Sequence, residues 1–430
     1  EPKNNPNISN YKFFIVACKN EQVNEGIIRC LLEYFPDAAS ANDDDDGCTP
    51  LHYACGNKNI TLNIVQLLID AAPTTVRTVD NIGWMPLHKL CFSENVDEKI
   101  AMDILKLLIE KCPEAVRHAD NRGFIPIHLA SMRRSPEFCR VLIEAYPGSE
   151  RMGNSIGVLP LHCACLLNNV AVVEYLYHLY PDAINHATTN GKYPIHLVIG
   201  GLRSRDNPAA AVDVVKFLLD CDPDVKLQKY RGIFSLLHVA CVEDYNESNI
   251  EAGIQIIKVI YDAHPEAIED NEITSNIHDF HQRVQTFIHS ELVYSRQARN
   301  LRLMTTLDET GRLPLHTALQ NNVRLGSIKL LVKGNPSAIR SFDESGVIPL
   351  HVACQHHQSA TVVEYLIELD TTTLDTVDRE GNTVLHHACL GANHDAIALL
   401  QEKYDAVSVS TRNAHKKLPI DLLFESNEVL

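Results

Sequence analysis

Histidine and cysteine recur together in this chain at a spacing that invites a chemical reading. His52, His88, His162, His238, His351 and His386 each stand three residues before a cysteine: Cys55, Cys91, Cys165, Cys241, Cys354 and Cys389. Residues three apart share a helical face, so each pair offers an imidazole and a thiol side by side, as zinc sites do. A tetrahedral zinc site needs about four converging ligands, whereas these pairs are strung one at a time along the chain. They predict a packed ladder instead, with each His bonded to turn backbone and each Cys serving as a small buried hydrophobe. Cys163 and Cys165 flank Ala164, but alternate helix positions diverge and make a poor ligand pair. The run Asp43-Asp44-Asp45-Asp46-Gly47 has the acidic start of a calcium loop, yet Tyr53 occupies the register of the closing glutamate, so a solvated turn tip is expected. No phosphate loop, dinucleotide fingerprint, zinc-protease helix or nucleophile elbow occurs. No catalytic, metal or cofactor residue is assigned, no cofactor is expected, and the chain is expected not to be an enzyme.

The elements that carry these histidines are repeats. Pro-Leu/Ile-His recurs around His52, His88, His128, His162, His196, His316 and His351, with Leu-Leu-His at His238 and Val-Leu-His at His386. The spacings run from 34 to 42 residues, except for a gap of 78 between His238 and His316 that is about two repeat lengths. A Gly stands five residues before most of these histidines, at Gly47, Gly83, Gly123, Gly157, Gly191, Gly311, Gly346 and Gly381, where a tight turn requires positive φ. A proline such as Pro50, Pro86 or Pro126 follows three residues later, preorganised for the first turn of a helix. A second helix has a continuous apolar face, as in Ile64-Val65-Gln66-Leu67-Leu68-Ile69, and ends near a proline such as Pro73 or Pro113. Neither helix buries its face alone, so neighbours must stack. Phe14-Ile15-Val16-Ala17-Cys18 continues the frame without its His, and Leu418-Pro419-Ile420-Asp421 carries Asp in its place.

The frame Asp-x-x-Gly-x-x-Pro-Leu-His-x-Ala-Cys, in nine copies, resembles the ankyrin repeat over nearly the whole chain. The Pro-(Asp/Glu)-Ala endings and the segment 285–315 also resemble a large group of ankyrin-repeat proteins from diatoms. The resemblance implies an all-α, right-handed ankyrin-repeat solenoid of about eleven helix-turn-helix units with finger turns. The chain departs from the family at the Thr three before the His, kept as Thr49 and Thr383, with Ser at Ser235, and replaced by Met85, Ile125, Leu159, Tyr193, Leu313 or Ile348 elsewhere. In those units the ring must rely on backbone partners. Three segments are expected: residues 1–268 as N-terminal repeats, 269–310 as a degenerate repeat or an inserted long helix, and 311–430 as C-terminal repeats of one continuous solenoid. The middle segment has no Pro or Gly between Pro265 and Gly311, which predicts a long helix with Ile277, Phe280, Val284, Phe287, Ile288 and Leu292 on one side.

The resemblance also implies that a partner protein is bound through the concave face and finger tips, at the residue after the finger Gly and the residue four past the His. These positions hold Trp84 with Phe92, Phe124 with Met132, and Val158 with Leu166, against the more polar Arg312 with Gln320 and Val347 with Gln355. Aromatic and Met side chains are what interface hot spots use, and Trp84 is the sole tryptophan. Arg296, Arg299 and Arg302 form a basic stretch and are a second candidate contact. The net charge of −17 argues against nucleic acid or an anionic membrane surface as partner and favours basic protein surfaces. No stretch reaches the roughly 20 apolar residues of a membrane span, so no direct membrane insertion is expected. The 13 cysteines, mostly in repeat phase, suit a reducing compartment, cytoplasmic or nuclear. The function expected is a non-catalytic protein–protein interaction scaffold. The alternative is a regulatory or targeting segment of a larger enzyme, channel or receptor, since the chain starts without Met and its last unit stops after one helix.

Overall fold

The computed structural model describes residues 7–204, 208–299, 304–403 and 409–427. They form an all-helical repeat solenoid, whose only extended pairings among the described residues are two isolated bridges, Tyr230 with Phe234 and Val377 with Thr383. Two compact units divide the chain, Glu1–Ile256 and Ile257–Leu430.

Each repeat obeys the same local rules. Pro50, Pro86, Pro126, Pro160, Pro194, Pro314 and Pro349 each occupy the first position of a short helix, where the missing N–H costs nothing. The second helix then runs back, and a 3-10 turn opening on a proline, as in Pro73–Arg77 or Pro113–Arg117, carries the chain into the next finger. Fingers bond to one another along the backbone: Asn81 N–H to Asp46 O, Asn121 N–H to Ile82 O and Ser155 N–H to Arg122 O. Within a finger, the Asx side chain three before the turn residue accepts two backbone N–H groups. Asp120 Oδ1 takes those of Arg122 and Phe124, each at 2.8 Å, and Asp343 Oδ1 takes those of Ser345 and Val347.

In the N-terminal unit the first helices Asn7–Lys19, Pro50–Gly56, Pro86–Phe92, Pro126–Arg133, Pro160–Leu166, Pro194–Gly200 and Leu236–Cys241 pack in sequence, each on the next. In the C-terminal unit Pro314–Gln320, Pro349–Gln355, Val384–Leu390 and Pro419–Asn427 do the same. The segment 270–299 corrects one expectation. It holds a short helix, Asn271–Asn276, a 3-10 turn, Ile277–Asp279, and a longer helix, Gln282–Arg299, rather than one uninterrupted helix. The break comes at Phe280, which is extended and buried. Val284, Phe287, Ile288 and Leu292 are buried as the spacing predicts, and helix Gln282–Arg299 packs against Leu325–Gly334, the second helix of the next repeat. A polar cluster pins that contact: Glu291 Oε2 accepts from Ser327 Oγ, which lies 2.9 Å from the Tyr261 hydroxyl. Burial raises the Glu291 carboxyl above the ordinary carboxylate range.

All eight finger glycines have positive φ, from +72° to +85°. At Gly123 the constraint is doubled, because a Cβ would sit 2.6 Å from the backbone N of Ser155 in the next finger, whereas at Gly232 (φ +71°) it would meet nothing within 4 Å. Gly123→Ala is therefore expected to lower stability by about 1–3 kcal/mol and by more than Gly232→Ala. Denaturant unfolding of both variants checks this; equal losses would remove the close approach as a cause.

Candidate protein-docking surface

The repeat histidines do structural work. In His52, His88, His128, His162, His196, His316, His351 and His386, Nδ1 accepts the backbone N–H of the residue three positions before, at 3.1 to 3.3 Å. With Nδ1 accepting, the proton resides on Nε2, which in four of the eight donates across to the next finger: His52 to Trp84 O (2.9 Å), His128 to Val158 O (2.9 Å), His162 to Lys192 O (3.3 Å) and His386 to Lys417 O (3.2 Å), while the Nε2 of His88, His196 and His316 meets no acceptor among the described residues. His351 reaches Thr376 O instead, at 3.1 Å. The Thr hydroxyls of Thr49 and Thr383 add a contact to their ring at 2.8 and 2.9 Å. Where Met, Ile, Leu or Tyr replaces Thr the backbone N–H bond persists, as the departure from the family pattern led one to expect. Asp421 follows suit by accepting the N–H of Leu418 at 2.8 Å. Burial opposes the charged imidazole, lowering His52, His88, His128 and His196 to about 4 and His162 and His351 to about 3.

The neighbouring cysteines are equally committed to packing. Cys55, Cys91, Cys165, Cys241, Cys354 and Cys389 are buried, and burial pushes the Cys55 thiol up to about 12, far from the thiolate that metals require. Among the described residues no three His, Cys, Asp or Glu side chains stand close enough to hold a metal ion. In the acidic run, Asp44, Asp45 and Asp46 are exposed, but Asp43 is not simply solvated. It accepts from the Tyr53 hydroxyl at 2.6 Å and from Lys19 Nζ at 2.9 Å, which hold its carboxyl down at about 2.

The His52 bond fixes the carbonyl of Trp84, so the ladder also aims the side chain that follows the finger glycine. That indole is held further by its own Nε1–H, which donates to Asp120 Oδ2 of the next finger at 2.9 Å. The same slot recurs: Arg312 Nε donates to Asp343 Oδ2 at 3.0 Å, and Cys48 Sγ lies 3.6 Å from Asp80 Oδ2. Trp84 meets Phe92 edge-on, with ring centroids 5.5 Å apart. Phe124 meets the His128 ring edge-on at 5.5 Å. Trp84, Phe92, Phe124, Met132 and Leu166 line one pocket of about 480 Å³, together with Ile82, Asp120, Asn121, Arg122 and Leu129. None of these five is buried in the core; Phe92 is 37% exposed and the others are half-buried. Val158 is half-buried but does not line the pocket. Its contribution is the carbonyl that receives His128. In the C-terminal unit the equivalent pair is self-satisfied, Arg312 Nη1 donating to Gln320 Oε1 at 2.9 Å.

Models of ankyrin repeats match residues 2–80, 98–189, 281–375 and 315–413. This chain is an ankyrin-repeat protein. No curated protein matches it significantly. Ankyrin repeats generally mediate protein–protein interaction and are typically non-catalytic, and no described helix is long and apolar enough to cross a membrane. Arg302 lies outside the described residues, as do the side chains of Arg296 and Arg299. Sequence reasoning missed Ile82, Asp120, Asn121, Arg122 and Leu129 as pocket residues. The first four belong to the finger arms, and the signal was available in the same ankyrin frame, since a finger that projects its turn residues beside Trp84 must also bring their neighbours.

The ladder makes stability depend on pH with a definite sign. An unfolded His binds its proton near 6.5, whereas these rings resist protonation until about 4, so the unfolded state holds more protons across that window. The histidine contribution is fully present above pH 6.5 and is lost as pH falls toward 4, where depressed carboxylates such as Asp43 begin to add to the loss. Denaturation midpoints measured from pH 8 to pH 4 are expected to be flat at first and then to fall; a flat profile down to pH 4 would contradict buried neutral histidines.

Proposed function

We propose that this ankyrin-repeat protein is a non-catalytic scaffold that binds a partner protein through the finger and first-helix face of its N-terminal unit, with the pocket around Trp84, Phe92, Phe124, Met132 and Leu166 as the energetic centre. The observation that carries the reading is the pocket itself: five repeat-equivalent apolar side chains in adjacent repeats left out of the core and gathered round one cavity. Covering such aromatic and Met surface is a main source of interface energy. The contrast with Arg312 and Gln320, which satisfy each other at the same two positions, supports specialisation of these repeats for binding. Arg296, Arg299 and Arg302 remain a second proposed contact on sequence grounds alone. A cytoplasmic or nuclear setting fits the reduced cysteines of the repeat frame, and the Pro-(Asp/Glu)-Ala endings support the narrower kinship with diatom ankyrin proteins.

Trp84 also braces the next finger through Asp120, so Trp84→Ala weakens the fold as well as the surface. Phe92→Ala is the cleaner probe. Phe92→Ala and Phe124→Ala are each expected to cost roughly 2 kcal/mol in binding, with smaller losses in unfolding free energy. The test is titration of a partner first captured with the unaltered protein, using Gln355→Ala as a control. Unchanged affinity in both variants would remove the pocket from the interface.

A further inference from the structure

The charges around this pocket are unequally committed, and they point to the chemistry of its occupant. Asp120 is the carboxylate in the wall, but its acceptor sites are taken: Oδ1 by the N–H groups of Arg122 and Phe124, and Oδ2 by the Trp84 indole. Lys89 lies over the Trp84 ring, 4.9 Å from its centroid, and is bonded to Asp80 at 3.0 Å. Arg133 lies over the Phe92 ring at 5.4 Å and is paired with Glu94. Each of these cations is therefore matched by an anion of its own.

Arg122 is not. It lines the pocket and is exposed. Its backbone is used twice, by N–H donation to Asp120 and by its carbonyl accepting from the Ser155 N–H and hydroxyl, while its guanidinium makes no hydrogen bond or ion pair among the described residues. An exposed arginine alone is ordinary. Here it is the cation in the wall of an apolar cavity that lacks an anion of its own, beside an Asp120 whose oxygens already accept from neutral N–H donors, and it offers several donors in a fixed fork that fits a carboxylate bidentately.

Resting on the docking function proposed above, we infer that the pocket takes a peptide segment in which a bulky apolar side chain is followed or preceded closely by Asp or Glu, the apolar group seated among Trp84, Phe92, Phe124 and Met132 and the carboxylate bonded to Arg122. The chain's charge of −17 does not oppose this, because solvent-exposed charges farther than about 8–10 Å are largely screened at physiological ionic strength. The contacting guanidinium decides. Local chemistry thus selects an acidic ligand on a protein whose overall charge favours basic ones.

The experiment is selection of a random short-peptide display library on the immobilised full chain, followed by titration of the enriched peptides with Trp84 emission as the reporter, since the chain has no other tryptophan. Enriched peptides are expected to share an apolar residue beside an acidic one. Changing that acidic residue to its amide, or making Arg122→Gln, should weaken binding about tenfold or more, the scale of a charge-assisted pair. Selection on Arg122→Glu should turn the flanking preference to Lys or Arg, and Arg122→Lys should retain part of the affinity. Enrichment without acidic bias, or equal binding to Arg122→Glu, overturns this inference; if Phe92→Ala still abolishes binding of those peptides, the docking function stands without it. Enrichment indifferent to Phe92→Ala and Phe124→Ala, or no enrichment at all, overturns both.

Discussion

A neutral imidazole reaching from one repeat to the next finger is the interaction on which the rest of the structure depends. Nδ1 accepts a backbone N–H of its own repeat, which leaves Nε2–H to donate to a carbonyl across the repeat boundary, as from His52 to Trp84 O and from His128 to Val158 O. One ring therefore satisfies two backbone groups that would otherwise be left unpaired in or near the core, a loss costing about 1–3 kcal/mol for each such group. Burial keeps the ring uncharged, and the backbone N–H given to Nδ1 fixes its tautomer. Where Nε2–H donates to the residue after the glycine, at His52, His128 and His162, that bond sets the height of the finger relative to its neighbour, and with it the place of that side chain.

The proposed binding surface is a by-product of that register. The repeat frame brings the position one after the glycine beside the position four past the histidine, and the two meet in at least two repeats. In the N-terminal unit those positions hold Trp84 and Phe92, in edge-on contact; in the C-terminal unit they hold Arg312 and Gln320, joined by a hydrogen bond. The scaffold is constant, and the pair that occupies it determines whether the surface is left with apolar area to cover. This separates stability from recognition more cleanly than a single-core domain allows, since each repeat contacts only its neighbours.

Much of this was legible in the sequence because it is local and repeated. Positive φ at the finger glycines, proline at helix starts and the phase of the apolar faces each follow from a short stretch of chain, and nine copies remove the ambiguity of one. Two kinds of feature were not legible. The interruption at residues 277–281 occurs without Pro or Gly, where Phe280 leaves helical geometry to bury its ring, a tertiary demand that periodicity cannot register. The pocket wall was also incomplete, because Asp120 and Arg122 matter through what their side chains find across a finger: Asp120 meets Trp84 Nε1, and the Arg122 guanidinium meets no partner among the described residues. Val158 shows the converse, a residue at the right repeat position whose carbonyl, rather than its side chain, is what the neighbouring repeat uses.

The central claim is that equivalent positions in the two units differ in use, one set facing a partner and the other serving the solenoid. Site-specific photocrosslinking addresses it most directly, with a benzophenone-bearing residue placed at Met132 in one preparation and at its repeat equivalent Gln355 in another. The account predicts covalent capture of a bound partner from position 132 and little or none from position 355, with both proteins unfolding normally. Capture from position 355 with none from position 132 would contradict it.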